Sequence, residues 1–454
     1  MQAPHTITSA LADLEAGRTT SVSLVQACLD RADALDDRLG VFLHRDRDQA
    51  LAAARASDAL RAAGHMPRPL EGIPLGIKDI ILTADAPTTG QSATRDPVPT
   101  GDAPVVARLR AAGAVMMGKT STMEFALGFS DPEKPFPTPA NPWDTDRWTG
   151  GSSSGTGSGI QAGMFLGGLG TDTAGSIRMP AAWCGVSGHK PTYGLVPRTG
   201  VLPLAWSLDH VGPLARTAED CARILAVLAG PDDRDRSVRP AATFDLDEVR
   251  LATRGLRIGL ARDPMARSTD AVQELVREAA DTFAAAGAVV SEVSLPAYDE
   301  VNDSVMLGLA AEALDYHHDE VIGRWHDFGR PTRSALLTGA LLSGPDYVRT
   351  LRVRRHAQRQ MARLFADVDL VIGPTATQPA PALDHLDFAE VVGMLQTHYW
   401  DGTGHPALSV PMGQVDGLPV GLQIIGRPFE DATVLDAGRR WQQLTSHHEK
   451  VAPL

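Results

Sequence analysis

Residues 148–191 read WTGGSSSGTGSGIQAGMFLGGLGTDTAGSIRMPAAWCGVSGHKP, a stretch dense in glycine and small hydroxyl residues that closes on Gly170–Arg178 and then Met179-Pro180. Glycines allow positive φ and let backbone donors crowd a ligand. A serine becomes a nucleophile when a base and an anion-binding pocket lie beside it. Composition alone would allow residues 150–159 to be a flexible linker. The flanks argue otherwise, since the tract runs from the turn-rich NPWDTDRW into a helix expected from about Ser158. A phosphate loop would need Gly-Lys-Ser/Thr at its end, which is missing. The nucleophile elbow G-x-S-x-G is met loosely, without a long strand before it.

The stretch offers serines and a candidate pocket, and a base must come from elsewhere. LEGIPLGIKDIIL (residues 70–82) is an apolar run holding a single lysine, Lys78. Such a lysine can snorkel to the surface from a strand end. It can also be buried, where desolvation disfavours the ammonium; holding it neutral near pH 7 costs roughly 4 kcal/mol and yields a base.

Around these segments the chain alternates helix and strand. Amphipathic spacing predicts a helix over 21–36 behind the cap candidates Thr20 and Ser21, and an alanine-rich helix over 47–63 stopping at Gly64. A helix from Ala103, a stop at Gly113 and a strand over 114–117 follow. The order strand 256–261, helix 272–286, strand 288–293 predicts a βαβ unit, with further strands near Leu370 and Val420. The expected fold is α/β: one large domain, a mixed but largely parallel twisted sheet, helices on both faces. It divides into N-terminal helices (1–65), a core carrying the glycine- and serine-rich stretch (66–230) and the remainder (231–454), with 296–365 as the segment shaping specificity.

The 454 residues carry a formal charge of −13, 43% hydrophobic and 21% charged residues, which fits a folded soluble protein and disfavours phosphate backbones and anionic membranes as partners. Three widely spaced cysteines offer neither a disulfide framework nor a zinc site, and a reducing cytoplasm is the expected compartment. The N-terminus shows no secretory pattern and the chain no long apolar run. His317, His318 and His326 match no metal-ligand spacing, so no metal or cofactor is expected.

Taken together, GGSSSGTGSG, GLGTDTAGSIRMPAAWCGVSGHKPTYG and SLDHVGPLAR resemble the amidase signature family of serine hydrolases. EGIPLGIKD, KTSTMEFALG, NPWD, DLVIGPTATQPAP, GHPALSVPMG and DGLPVGLQIIGRPFEDATVL extend the resemblance through most of the chain, and residues 296–365 match loosely. The resemblance implies a Ser, cis-Ser, Lys triad: Ser176 as nucleophile, Ser152 as bridging serine, Lys78 as base. On composition Ser153 and Ser154 are equal candidates to Ser152, and the family register selects between them. It also implies an oxyanion hole across Thr173, Ala174, Gly175 and Ser176, with Thr171, Asp172 and Arg178 in support. Asp172 and Arg178 could alternatively act as acid and carboxylate clamp, and Cys184 could pose as a nucleophile, though a small buried residue fits it better. Ser154 and Ala174 stand where glycines are usual, and Trp148-Thr149 where Ser-Pro is usual; Ala174 restricts its turn to negative φ.

The implied activity is cleavage of a carboxylic amide, with aryl amides and carbamates (urethanes) as candidate small-molecule substrates. The alternatives are the glutaminase subunit of a tRNA-dependent amidotransferase and a catalytically silent scaffold. Against the glutaminase, Ala311-Glu312-Ala313 continues as LDYHHDEVIGRW rather than with an AEASSNLARYDG-like pattern. A homodimer is the candidate assembly. Met123, Phe125, Phe129, Trp206 and Trp400 are candidates for an apolar pocket, with core packing as their competing use.

Overall fold

The computed structural model describes residues 6–93, 101–239, 243–248, 255–384 and 386–454; the first five residues of the N-terminal segment lie outside it. In chain order the strands are β1 (Phe42–His44), β2 (Pro74–Lys78), β3 (Val115–Thr120), β4 (Ala140–Asn141), β5 (Asp144–Trp148), β6 (Gly167–Asp172), β7 (Ser187–Lys190), β8 (His210–Ala215), β9 (Arg257–Ala261), β10 (Val289–Val293), β11 (Leu370–Pro374), β12 (Ala407–Val415) and β13 (Leu418–Ile425). Eleven of them form one sheet in the order β1-β3-β2-β6-β8-β7-β12-β13-β11-β9-β10, and β4 and β5 make a separate ribbon.

The fold is α/β in a single domain, and the sheet is mixed, but the expectation that it is largely parallel needs correcting. The pairs β3/β2, β2/β6, β11/β9 and β9/β10 are parallel, whereas every junction from β6 through β8, β7, β12 and β13 to β11 is antiparallel. Helix-glycine-strand grammar marks the parallel wings, because a crossover helix needs many residues. The centre contains the tight connection Val415–Leu418 between β12 and β13, which imposes antiparallel pairing. The βαβ expectation holds: helix Asp270–Ala285 connects β9 to β10, paired in register from Arg257↔Val289 to Ala261↔Val293.

Helices cover both faces, as β7 illustrates. A Cβ on Gly188 would lie 2.7 Å from Ala181 in helix Arg178–Cys184, while the neighbouring Ser187 Oγ accepts from Gln442 of helix Asp431–Leu444 at 3.0 Å. Of the predicted helices, Ser21–Leu39 is capped by Thr20, whose side chain accepts from Ser23 N, and Arg47–Ala62 gives way at Gly64. Helices Tyr298–Tyr316, Arg330–Ala340 and Gly344–Asp367 fill the segment expected to shape specificity. No helix among the described residues is long and apolar enough to cross a membrane.

The glycine and serine tract is a buried helix, Ser154–Ala162, starting four residues before the expected position. Space explains its composition. A Cβ on Gly155 would approach Val41 O to 2.5 Å, one on Gly157 would meet Pro180 Cβ at 2.8 Å, and one on Gly159 would enter the Phe165 ring at 2.3 Å. The helix therefore lies against its neighbours at backbone distance, which a linker has no reason to do. Gly159→Ala separates packing from propensity: intrinsic helix preference alone would stabilise the variant by about 1 kcal/mol, whereas the Phe165 contact predicts a loss of about 1–3 kcal/mol. Urea denaturation of the two proteins gives the sign.

Candidate active site

Strands β2 and β6 run parallel side by side, with Leu75 beside Gly167 and Ile77 beside Leu169, so their C-terminal ends, Lys78 and Thr171-Asp172, open at the same edge of the sheet. Ligands in open α/β sheets sit at such strand ends. Lys78 is 0% exposed; its Nζ donates to Ser152 Oγ at 2.7 Å and to Thr171 Oγ1 at 2.8 Å. Burial brings its pKa down to about 7, against the opposing pull of the Asp172 and Asp209 carboxylates. The snorkelling reading fails because the strand lies inside the sheet, with every residue buried.

The Gly150–Ser154 loop gives its three serines different partners. Ser152, which follows a cis Gly151–Ser152 peptide bond, meets the lysine, and its carbonyl accepts from Thr122 Oγ1 at 2.7 Å. Ser153 Oγ donates to Thr171 O at 3.3 Å, and Ser154 Oγ donates to Gly150 O at 2.8 Å. Ser153 N donates to Ser176 O at 3.1 Å, which ties the loop to the turn carrying Ser176. Asn141 anchors the approach to the loop, its Nδ2 donating to Trp148 O at 3.0 Å and Trp183 O at 2.9 Å.

The turn after β6 is built on Asp172. Its Oδ1 accepts from Gly175 N at 2.6 Å and its Oδ2 from Ile177 N at 3.1 Å, while Arg178 donates from Nε and Nη2, both at 2.9 Å. Burial alone would raise the Asp172 pKa, but the Arg178 guanidinium holds it well below the usual carboxylate range. Gly175 takes a positive φ of 131°, and a Cβ there would meet Thr397 Oγ1 at 2.2 Å. The positive φ thus falls on the glycine, and Ala174 keeps a conformation open to any residue. Gly175, read as one of four oxyanion donors, has its N–H committed to Asp172. The N–H groups of Thr173, Ala174 and Ser176 meet no backbone or side-chain acceptor among the described residues.

Several parts of the site carried no legible signal. Arg178 also donates to Asp401 Oδ2 at 2.6 Å, Gln423 Oε1 at 2.8 Å and Thr397 O at 3.0 Å. Thr397 Oγ1 in turn donates to Ala174 O at 2.6 Å, and His210 Nδ1 lies 3.1 Å from Asp172 O. Thr173 Oγ1 donates to Asp209 Oδ1 at 2.6 Å. Lys190 is buried and donates to His405 O at 2.7 Å. The lysine of GHKP stands outside any apolar run of the kind that marks Lys78. Asp401, in YWDGTG, stood out in no way.

Ser176 is partly exposed, on a narrow cavity of about 70 Å³ walled by apolar side chains that include Met123, Phe129, Trp148, Leu309 and Phe388. Met123 and Phe129 thus take the pocket role, Phe125 and Trp400 pack in the interior, and Trp206 is exposed. Trp148, one of the departures from the usual pattern, becomes a wall, edge-on to Phe129 at 5.2 Å. His398 also lines the cavity, and burial pulls its pKa down to about 4, leaving it neutral at pH 7. Among the described residues no Asp, Glu, Lys or Arg lines this cavity. His317 is buried against Phe125, and no cluster of three or more His, Cys, Asp or Glu residues that could hold a metal occurs among the described residues. Cys184 is buried and its thiol is pushed up by burial, as fits a packing residue.

The sequence profile of the family described as Amidase matches residues 23–435. A glutamyl-tRNA(Gln) amidotransferase subunit of Chloroflexus aggregans is 40% identical, across 98% of this chain and 97% of its own length. Among solved structures, a protein of a vestigial complex, studied for the evolutionary origins of an s-triazine catabolic enzyme, superposes with a TM-score of 0.91 at 31% identity, covering 97% of this chain and 98% of that one. The peptide amidase of Stenotrophomonas maltophilia gives 0.85 at 30% identity, covering 96% of each chain.

Arg178 stands between two buried carboxylates, so removing it strands both. Arg178→Met is expected to lose about 3–5 kcal/mol of stability, read as a lower urea midpoint with an unchanged slope. A variant as stable as the parent would mean that the charges compensate by other routes.

Proposed function

The chain belongs to the amidase family, and we propose that it cleaves carboxylic amides through an acyl-enzyme on Ser176. The observation that carries this reading is a buried lysine with its Nζ 2.7 Å from Ser152 Oγ, beside a serine that opens on an apolar cavity. Neutral Lys78 takes a proton from Ser152 as Ser152 takes one from Ser176, whose Oγ attacks the carbonyl carbon. The oxyanion forms against the N–H groups of Thr173, Ala174 and Ser176, each such donor being worth about 3 kcal/mol. The relay then returns the proton to the departing nitrogen, the C–N bond breaks, and water cleaves the acyl-enzyme. Asp172, Arg178 and Thr171 position this machinery. Against a silent scaffold stands the company Lys78 keeps: buried Lys119 pairs with Asp79 and buried Lys190 donates to His405 O, whereas Lys78 meets two hydroxyls, one of them Ser152.

For the substrate, two readings rest on different observations. The uncharged lining supports an apolar amide, anilide or carbamate, because an ammonium or carboxylate in that cavity would lack an ionic partner. The relatives named as glutamyl-tRNA(Gln) amidotransferase subunits support glutamine as ammonia donor for a partner protein, and by relationship this second reading is the better supported. Ammonia release from glutamine by the purified chain, set beside product release from a panel of anilides, aliphatic amides and carbamates, separates them. Turnover of glutamine alone would remove the first reading. Homodimerisation remains the assembly proposed for the free-standing enzyme. A reducing cytoplasm is its proposed compartment, consistent with three buried, unpaired cysteines.

Fluorophosphonate labelling tests the nucleophile: wild type takes up one equivalent and Ser176→Ala none, and equal labelling of both would sink the assignment. For the base, Lys78→Met is expected to slow acylation by roughly 10²–10⁴-fold with an unchanged or higher melting temperature, since it removes a costly buried amine. The active form is the neutral lysine, so kcat/KM rises with pH and levels off above about 7; a profile that falls across this range would place the essential proton elsewhere.

A further inference from the structure

A second cavity, of about 540 Å³, lies outside the apolar one and has the opposite chemistry. Four arginines line it: Arg239, Arg354, Arg355 and Arg427. Two of them are engaged locally. Arg354 is buried and donates to Ser207 Oγ at 2.7 Å, and that hydroxyl donates to Glu312 Oε1 at 2.6 Å; Arg427 pairs with Asp369 at 3.3 Å and Glu430 at 3.2 Å. The other two have no carboxylate partner among the described residues. Arg239 is exposed and lies over the Phe429 ring at 4.9 Å, and Arg355 is exposed and reaches Gln358 Oε1 at 3.3 Å. Asp401 also lines this cavity, but its Oδ2 is engaged by Arg178. Two guanidinium groups, those of Arg239 and Arg355, thus stand in one recess without a carboxylate partner among the described residues, in a chain whose formal charge is −13.

The inner wall adds a second observation. His405 is more than nine-tenths buried, yet its Nδ1 finds no hydrogen-bond partner among the described residues, whereas Asp401 Oδ1 faces His210 Nδ1 at 3.7 Å. Buried polar atoms are nearly always satisfied, so an unpartnered imidazole nitrogen at the wall of an arginine-lined recess points to a ligand or to its hydration.

We propose that this recess binds a small anion carrying a carboxylate or a phosphate, at a site distinct from the catalytic cavity. Guanidinium groups match both oxyanions through paired N–H donors. The helix His398–Thr403 connects the two sites: His398 lines the catalytic cavity, while Asp401 and Thr403 line the arginine recess. Asp401 holds Arg178, Arg178 holds Asp172, and Asp172 holds the turn that carries Ser176. An anion beside Asp401 therefore alters the field on the positioning pair beneath the turn, and the site regulates acylation.

The test is calorimetric titration of the full chain in low-salt buffer with two probes, inorganic phosphate and benzoate, which separate the phosphate source from the carboxylate source. Saturable one-site binding of at least one probe is expected, weakened tenfold or more in the Arg239→Ala/Arg355→Ala double variant. Both side chains are exposed, so its melting temperature should match wild type. No saturable heat from either probe, or equal binding by wild type and variant, overturns the site. The regulatory part is read from the rate of fluorophosphonate labelling at Ser176: the bound probe should change it at least twofold in wild type and leave the double variant unaffected. A wild-type rate unchanged at saturating probe overturns the coupling while leaving the binding result standing.

Discussion

The buried Arg178 guanidinium, 0% exposed and clamped between Asp172 and Asp401, is the interaction on which the site depends. It joins segments more than two hundred residues apart, because Asp172 ends β6, Gln423 lies in β13, and Thr397 and Asp401 belong to the stretch between β11 and β12. A charge taken out of water needs such a complete set of partners or it destabilises the fold. Asp172, once ionised and paired, has lone pairs left for Gly175 and Ile177 N–H, and those bonds shape the turn. The ion pair is therefore a device for geometry more than for stability.

Around that clamp the molecule places opposite environments within one sheet edge. Lys78 sits at a strand end with two hydroxyls as partners and carboxylates at a distance, so desolvation dominates and the amine is brought toward neutrality. The cavity beyond Ser176 is apolar, which strengthens every dipole aimed into it. Close helix packing makes this possible. Helix Ser154–Ala162, with glycines at 155, 157 and 159, lets the serine loop come within hydrogen-bond reach of both strands.

Much of this was legible. Lys78 stood out as the single lysine in an apolar run, and Ser152 and Ser176 stood in motifs specific enough to identify the family. The helix-glycine-strand rhythm foretold β9, Asp270–Ala285 and β10. Of the antiparallel centre, the two-residue Asp416-Gly417 turn between β12 and β13 declares its pairing, whereas the other strands are joined by longer connections that do not declare a partner. Nor did the residues distinguish Ser152 from Ser153 and Ser154 without the family register. The difference among them is which acceptor or donor each faces, and that depends on strands far away in the chain.

By itself the sequence determined the chemistry available: a lone lysine in an apolar run, serines in a glycine-rich frame, an acid and an arginine six residues apart, and the α/β alternation that brings strand ends together. These are local or pattern-borne properties, set by side-chain type and spacing. Only the tertiary structure decided which serine meets the lysine, that Gly175 spends its N–H on Asp172, that Trp148 becomes a wall, and that Asp401 stands between an apolar cavity and an arginine-lined one. Those outcomes depend on distances between residues remote in sequence, and such distances exist only once the sheet has closed.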